Sequence, residues 1–138
     1  MMSWKECERE FIKEVEIDKE RIKSLIEKSM QRKKIIESIK ISEENISFVV
    51  EGYYEIIKEL LVAYLLKNGL RSKNHQCLIT YFYINNKDYE FEANLISQMS
   101  YLRNRLDYYG ESIPLIFYNK NKDNIKQIIK ILSDLVNK

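Results

Sequence analysis

Glycine and proline are so scarce that long helices are the main structure this chain can form. Only three glycines and one proline occur among its 138 residues. Because both residue types mark turns, their scarcity disfavours a β-fold and favours long helices. A chain of this length can bury a hydrophobic core as one domain. The sequence therefore predicts a single all-α domain over residues 1–138, an antiparallel up-and-down bundle of four to five helices.

Apolar residues recur at helical spacing along most of the chain. The first predicted helix covers residues 3–39, and the dense charge at 16–20 marks a place where so long a helix could bend. The second is expected to begin with Ser42 as its N-cap and to run to about Asn68. It should be the most buried helix, since apolar residues cover more than half of its circumference. Gly69 is expected to end it in the left-handed conformation.

The second half of the chain predicts three further helices. A short third helix should follow Ser72 as its N-cap, and a fourth should cover 89–109 and stop at the glycine after it. Pro114 disfavours helix at the residue before it, so residues 115–118 are predicted as extended chain packed on the bundle. The last helix is expected over about 124–137.

Charge and cysteine usage limit the classes of protein to be considered. Lysine and arginine number 23 and the acids 21, which does not indicate non-specific DNA binding. No apolar run approaches the roughly 20 residues of a membrane span, and no signal peptide is recognisable. Cys7 and Cys77 are far apart in sequence and are expected to be free, buried thiols in a reducing compartment. These features predict a cytoplasmic protein without a membrane segment.

Most signatures of catalysis and cofactor binding are missing from the sequence. There is no glycine-rich phosphate loop, and one histidine with two distant cysteines excludes a Cys/His zinc site. The Glu-x-x-His pairs of a di-iron bundle are also missing. The basic run at 31–34 has two open interpretations, an exposed helix face or a surface that contacts phosphate. No metal and no cofactor are therefore expected.

Polar and aromatic side chains are concentrated at the end of the fourth predicted helix. Residues 103–109 read Arg-Asn-Arg-Leu-Asp-Tyr-Tyr, with Arg103 four positions before Asp107. One interpretation is a salt-bridged helix end, in which an exposed pair contributes only about 0.3–0.5 kcal/mol. The other is a phosphate or base site, because guanidinium groups bind phosphate in a bidentate way and phenols stack on bases. The candidate ligand-binding residues are Arg103, Asn104, Arg105, Asp107, Tyr108 and Tyr109.

The only histidine of the chain, His75, lies near the start of the short third helix. It either packs there with one hydrogen bond or faces Arg103 as a group of the site. The sequence leaves both interpretations open.

Three stretches resemble the HEPN domain, a helical module found with nucleotidyltransferases and in RNA-cutting toxins. Residues 48–55 and 63–69 resemble the buried second helix of that family and its glycine stop. Residues 72–79 are similar to its short helix opened by a Ser or Thr and a His. Residues 102–110 are similar to the Arg-Asn element that closes its fourth helix.

The resemblance implies a function and also reveals one departure from the family. In ribonuclease members, an Arg followed a few residues later by a His forms the active site across a dimer. Arg103 and Asn104 match the Arg and the polar residue after it, but Tyr108 and Tyr109 stand where the His would be. A phenol with a pKa of about 10 is a poor general base at neutral pH. The resemblance thus implies a nucleotide- or RNA-binding module that acts with a nucleotidyltransferase partner, as in a toxin–antitoxin pair.

Two alternative functions remain. One is a divergent, metal-independent HEPN ribonuclease toxin in which Arg103 and His75 are the catalytic candidates. The other is a non-catalytic bundle for protein–protein interaction. A homodimer is expected from the resemblance and from residues 81–118, which hold seven of the ten tyrosines, because aromatic surfaces often become interfaces.

Overall fold

The computed structural model describes all 138 residues and is mainly helical, which confirms the all-α class. Six α-helices are present, against the four to five predicted, together with one 3₁₀ turn and a two-stranded ribbon. In chain order the elements are α1 (Trp4–Glu10), β1 (Lys13–Glu14), α2 (Lys19–Glu37), α3 (Ile46–Lys67), β2 (Leu70–Arg71), α4 (His75–Asn85), the 3₁₀ turn (Lys87–Tyr89), α5 (Glu90–Tyr109) and α6 (Leu115–Val136). None of the helices combines the length and apolar character needed to cross a membrane.

Helix α3 is the centre of the fold. It contacts α2, α4, α5 and α6, and thirteen of its 22 residues are buried, so the prediction of the most buried helix is confirmed. It begins after Asn45 and not after Ser42, because the Asn45 side chain turns back to accept a hydrogen bond from the Ser42 backbone N–H at 2.9 Å. It ends before Gly69, which has the predicted positive φ of 73°.

The predicted helix over residues 3–39 is wrong, because the chain leaves the helical conformation between α1 and α2. Strand β1 pairs antiparallel with β2, and the Val15 N–H donates to the Gly69 carbonyl at 2.9 Å. Asp18 then starts α2 as an N-cap whose side chain accepts a hydrogen bond from the Arg21 N–H at 3.1 Å. The β1–β2 pairing and the Asp18 N-cap therefore interrupt the helix, although the apolar pattern continues through this segment.

The prediction of free thiols is also wrong, since Cys7 and Cys77 form a disulfide that is fully buried. The break after α1 lets this short helix fold back onto α4, where Trp4 packs on Tyr81 with ring centroids 5.5 Å apart. Disulfides are rare in reducing compartments. The pairing therefore removes one of the grounds for the predicted cytoplasmic location.

Helices α4 and α5 begin and end close to the predicted positions. The N-cap of α4 is Asn74, which accepts a hydrogen bond from the Cys77 N–H at 3.2 Å. Ser72, the predicted cap, accepts from the Asn74 N–H at 3.1 Å instead. Gly110 ends α5 with a φ of 66°, as predicted.

The predicted extended segment at residues 115–118 is wrong, because α6 begins directly after Pro114. Proline restricts the residue before it, but its own φ of −65° suits a helix start, where no backbone N–H donor is needed. Phe117 and Tyr118 consequently join the core as helical residues. Ile113, the residue before the proline, donates its N–H to the buried Ser47 hydroxyl at 2.8 Å.

Candidate functional site

The six residues singled out near the end of α5 divide between two sides of the helix. Arg103 and Asp107 lie on the side next to α3, and the Arg103 side chain is only 23% exposed. Tyr108 and Tyr109 lie on the outer side and are 78% and 69% exposed. Asn104 and Arg105 accompany these tyrosines toward solvent. The structure therefore does not bring the six residues together at one place.

Arg103 is held by two carboxylates. One terminal nitrogen lies 3.2 Å from Glu55 Oε1 on α3, and Nε lies 3.0 Å from Asp107 Oδ2 one turn along α5. The contact to Asp107 is ionic and not a directed hydrogen bond, because Nε has no partner at a suitable angle. The guanidinium also lies 5.9 Å from the centroid of the buried Tyr54 ring, within the range of a cation–π contact. The charge of Arg103 is thus balanced within the protein.

Glu51, one turn before Glu55 on α3, is the most perturbed carboxyl of the site. Its pKa is raised from 4.5 to about 7, first by a hydrogen bond with Asp107, then by burial and by repulsion from the Asp107 charge. The Arg103 charge opposes this shift without cancelling it. A carboxyl that titrates near neutral pH has the proton affinity that a general acid or base needs.

His75 joins the same group of residues through Tyr54. Its Nδ1 lies 3.2 Å from the Tyr54 hydroxyl, and no direct hydrogen bond connects it to Arg103. Burial lowers the pKa of His75, and the charges of Lys58 and Arg103 lower it further. Burial also raises the pKa of the Tyr54 phenol. Near neutral pH, the pair is therefore a neutral imidazole against a neutral phenol.

We call this group of side chains the Arg103 cluster. It consists of Glu51, Tyr54, Glu55, Lys58, His75, Arg103 and Asp107, and Lys58 joins it through an ion pair of 2.6 Å with Glu55. The four members on α3 were missed by sequence reasoning. Their spacing of three and four residues was the available signal, because it places one polar stripe on an otherwise apolar helix.

Lys58, which lines a groove between α2 and α3, is the one member of the Arg103 cluster that lines a principal cavity of the surface. There are five of these cavities. One lies where α1 approaches the start of α4, one between α2 and α3, and one between α5 and α6. Another lies between α2 and α6, and the last is formed by α2 and the residue after it. No group of three acidic, histidine or cysteine side chains is arranged to hold a metal ion. The cleft around Arg103 that the ligand hypothesis requires is not among these cavities.

The outer side of α5 carries exposed aromatic rings beside an arginine. The Arg105 guanidinium lies over the Tyr109 ring, 4.3 Å from its centroid, and its Nε donates to Glu111 at 2.9 Å. Tyr101, seven residues before Tyr108, is 62% exposed on the same side of the helix. We call these residues the α5 aromatic surface: Tyr101, Asn104, Arg105, Tyr108 and Tyr109.

No protein-family model, curated protein or solved structure matches this chain. The HEPN resemblance therefore depends on the residues quoted for it, and membership of that family stays a prediction. What the site can do is inferred below from its own geometry.

Proposed function

We propose that the chain is a non-catalytic binding module that binds a nucleotide or a single-stranded RNA segment through the α5 aromatic surface. The proposal includes a HEPN-like antiparallel bundle and a nucleotidyltransferase as the partner protein. It also includes a cytoplasmic location, where burial would have to protect the Cys7–Cys77 disulfide from reduction.

The observation that carries the proposal is the exposure of Tyr108 and Tyr109 beside Arg105. Tyrosine rings left in solvent provide faces on which bases stack, and each stacked base contributes about 1–3 kcal/mol. Arg105 stacks on one of the rings and is paired with Glu111. Because that ion pair is open to solvent and therefore weak, a phosphate can replace Glu111 at little cost. Asn104 adds amide donors and an acceptor on the same side of the helix.

The pairing of the Arg103 cluster supports a role without catalysis. A phosphate that approached Arg103 would have to compete with the carboxylates of Glu55 and Asp107. His75 is engaged with the Tyr54 hydroxyl and is held neutral by its buried position. Arg103 and Asp107, two of the candidate ligand residues, are therefore assigned to holding α5 against α3.

Binding of a labelled single-stranded RNA, measured by fluorescence anisotropy at fixed salt, tests the proposal. Tyr108→Ala should weaken binding about 5- to 150-fold, the range expected for one lost stacking contact. Phe48→Ala is the matched control, because Phe48 is an aromatic residue on α3 with 65% exposure. Equal affinities for the two variants would refute the assignment of the α5 aromatic surface. The RNA should stay intact, and its cleavage would favour the ribonuclease alternative with Arg103 and His75.

Exposed apolar side chains between α5 and α6 favour a second candidate, a homodimer interface. Phe91 on α5 and Ile116 on α6 are 57% and 76% exposed, and both line the cavity between these helices. Exposed apolar side chains that lie together mark interaction surfaces more often than scattered ones do. Sedimentation should then detect a dimer that Phe91→Glu combined with Ile116→Glu converts to a monomer, and a wild-type monomer would exclude this candidate.

A further inference from the structure

A groove between α2 and α3 is lined by four cationic side chains and a single carboxylate. It has a volume of about 430 Å³ and lies apart from the α5 aromatic surface. Its lining residues are Arg21, Ser24, Leu25, Lys28 and Arg32 from α2, and Lys58, Glu59 and Val62 from α3. Such an excess of positive charge in a concave site needs an explanation in a chain of nearly balanced charge.

The cations form a row along one side of α2. Arg21, Lys28 and Arg32 are separated by seven and four residues, spacings that bring side chains to the same face of a helix. Like charges four residues apart repel one another and destabilise a helix. Glu59 offsets part of this repulsion by pairing with Arg32, and an anion bound in the groove would offset the rest.

Two of the four cations are held in place and two are free. Arg32 donates two hydrogen bonds to Glu59 Oε1, at 3.2 and 3.0 Å, and Lys58 pairs with Glu55. The side chains of Arg21 and Lys28 have no ion pair or hydrogen bond with the protein, nor does the Ser24 hydroxyl. A ligand would meet a fixed pair of cations on one side and two unengaged cations on the other.

The geometry points to a binding site for clustered phosphate groups, such as a tripolyphosphate chain or the triphosphate of a nucleotide. The row of three cations is too long for a single phosphate to contact, because Arg21 and Arg32 are eleven positions apart and the helix rises about 1.5 Å per residue. Leu25 and Val62 form an apolar floor that could pack on a ribose or a base. The inference goes beyond the proposed function, since it concerns a different surface and does not require RNA to bind at α5.

Calorimetric titration of the full chain with inorganic tripolyphosphate at about 0.15 M salt, where the screening length is about 8 Å, tests this site. The double variant Arg21→Ala/Lys28→Ala should bind at least tenfold more weakly than the wild type. The matched control is Lys33→Ala/Lys34→Ala, which removes the same charge from α2 at residues that line other cavities. Its affinity should stay within about twofold of the wild type, since screening limits the effect of distant surface charges. Circular dichroism checks that both variants are folded, and Arg21→Lys/Lys28→Arg should retain binding.

Titrations with ATP and with adenosine separate the possible ligands. Equal affinity for ATP and tripolyphosphate would mean that only phosphates are recognised, whereas tighter binding of ATP would assign the apolar floor to the nucleoside. Either result supports the site. Three results would overturn it: no binding of tripolyphosphate at millimolar concentration, equal loss in the double variant and its control, or adenosine binding as tightly as ATP. Tyr108→Ala should leave tripolyphosphate binding unchanged, which separates this test from that of the proposed function.

Discussion

The carboxyl of Glu51 should make the protein less stable as the pH rises from about 4.5 to about 7. Its pKa is raised across that interval, mainly by the hydrogen bond with Asp107 and then by burial. The folded protein therefore binds this proton more tightly than the unfolded chain does. The stabilising contribution is complete below the unfolded pKa and is lost as the pH rises through the folded pKa.

The size of the effect follows from the shift and from the exposure of the group. A rise from 4.5 to about 7 corresponds to about 3.4 kcal/mol at roughly 1.36 kcal/mol per pKa unit. Because Glu51 is partly exposed, screening by solvent reduces the expected contribution to about 1 kcal/mol. Glu51→Gln keeps a donor toward Asp107 at every pH. We therefore expect this variant to match the wild type near pH 4.5 and to be about 1 kcal/mol more stable at pH 8.

Urea unfolding followed by circular dichroism at several pH values between 4.5 and 8 measures this difference. Glu44→Gln serves as the control, since Glu44 is exposed and lies before α3. The lowered pKa of His75 acts in the opposite direction, reducing stability as the pH falls below about 6.5, but it is present in both proteins and leaves the difference almost unaffected. A difference between Glu51→Gln and the wild type that stays constant with pH would refute the proposed proton sharing with Asp107.

Further predictions concern the disulfide and the two glycines that end helices. Cys7→Ala/Cys77→Ala should lower the free energy of unfolding by about 2–4 kcal/mol, because the disulfide joins residues 70 positions apart. Fluorescence of Trp4, which packs on Tyr81, should report the loosening of α1. An unchanged free energy of unfolding would contradict a stabilising role of the disulfide. Gly110→Ala should reduce stability by about 1 kcal/mol through its positive φ alone. Gly69→Ala should cost about as much in the same chemical denaturation, since its φ is also positive and the added Cβ would lie at an ordinary contact distance of 3.4 Å from the Val15 carbonyl oxygen. A loss several times that of Gly110→Ala would contradict this reasoning.

The features predicted correctly from the sequence depend on neighbours along the chain. The stops at Gly69 and Gly110 follow from a conformation that only glycine adopts readily, so no tertiary information was needed. The burial of α3 follows from its composition, because a helix that is apolar around most of its circumference has to be covered.

The errors arise where partners distant in sequence decide the structure. The break after α1 depends on β2, more than fifty residues downstream, and the disulfide depends on that break. At Pro114 the error was of another kind. Pro114 led to a prediction of extended chain over residues 115–118, although the same fixed φ makes it a good residue to begin a helix.

The candidate site was predicted in part for the same reason. Arg103 and Asp107 could be paired from their spacing on one helix, and their ion pair is present. Glu55, the second partner of Arg103, lies on another helix, and Glu51 reaches Asp107 across the same interface. Such contacts depend on the register between α3 and α5, which periodicity within each helix does not determine.

The burial of the ion pairs explains why ligand binding is proposed at the outer side of α5 and in the α2–α3 groove, and not at Arg103. The Arg105–Glu111 pair on α5 is open to solvent and weak, whereas the pairs of Arg103 are partly buried. Arg103 and Lys58 face three carboxyls, those of Glu51, Glu55 and Asp107, so the cluster offers little attraction to an anion. An incoming phosphate would also leave the displaced, partly buried carboxylates without their partner, which is more costly than losing an exposed pair. In the groove, the free cations Arg21 and Lys28 present no such competitor. An anion that enters the groove relieves repulsion, whereas one that enters the cluster has to break an existing pair.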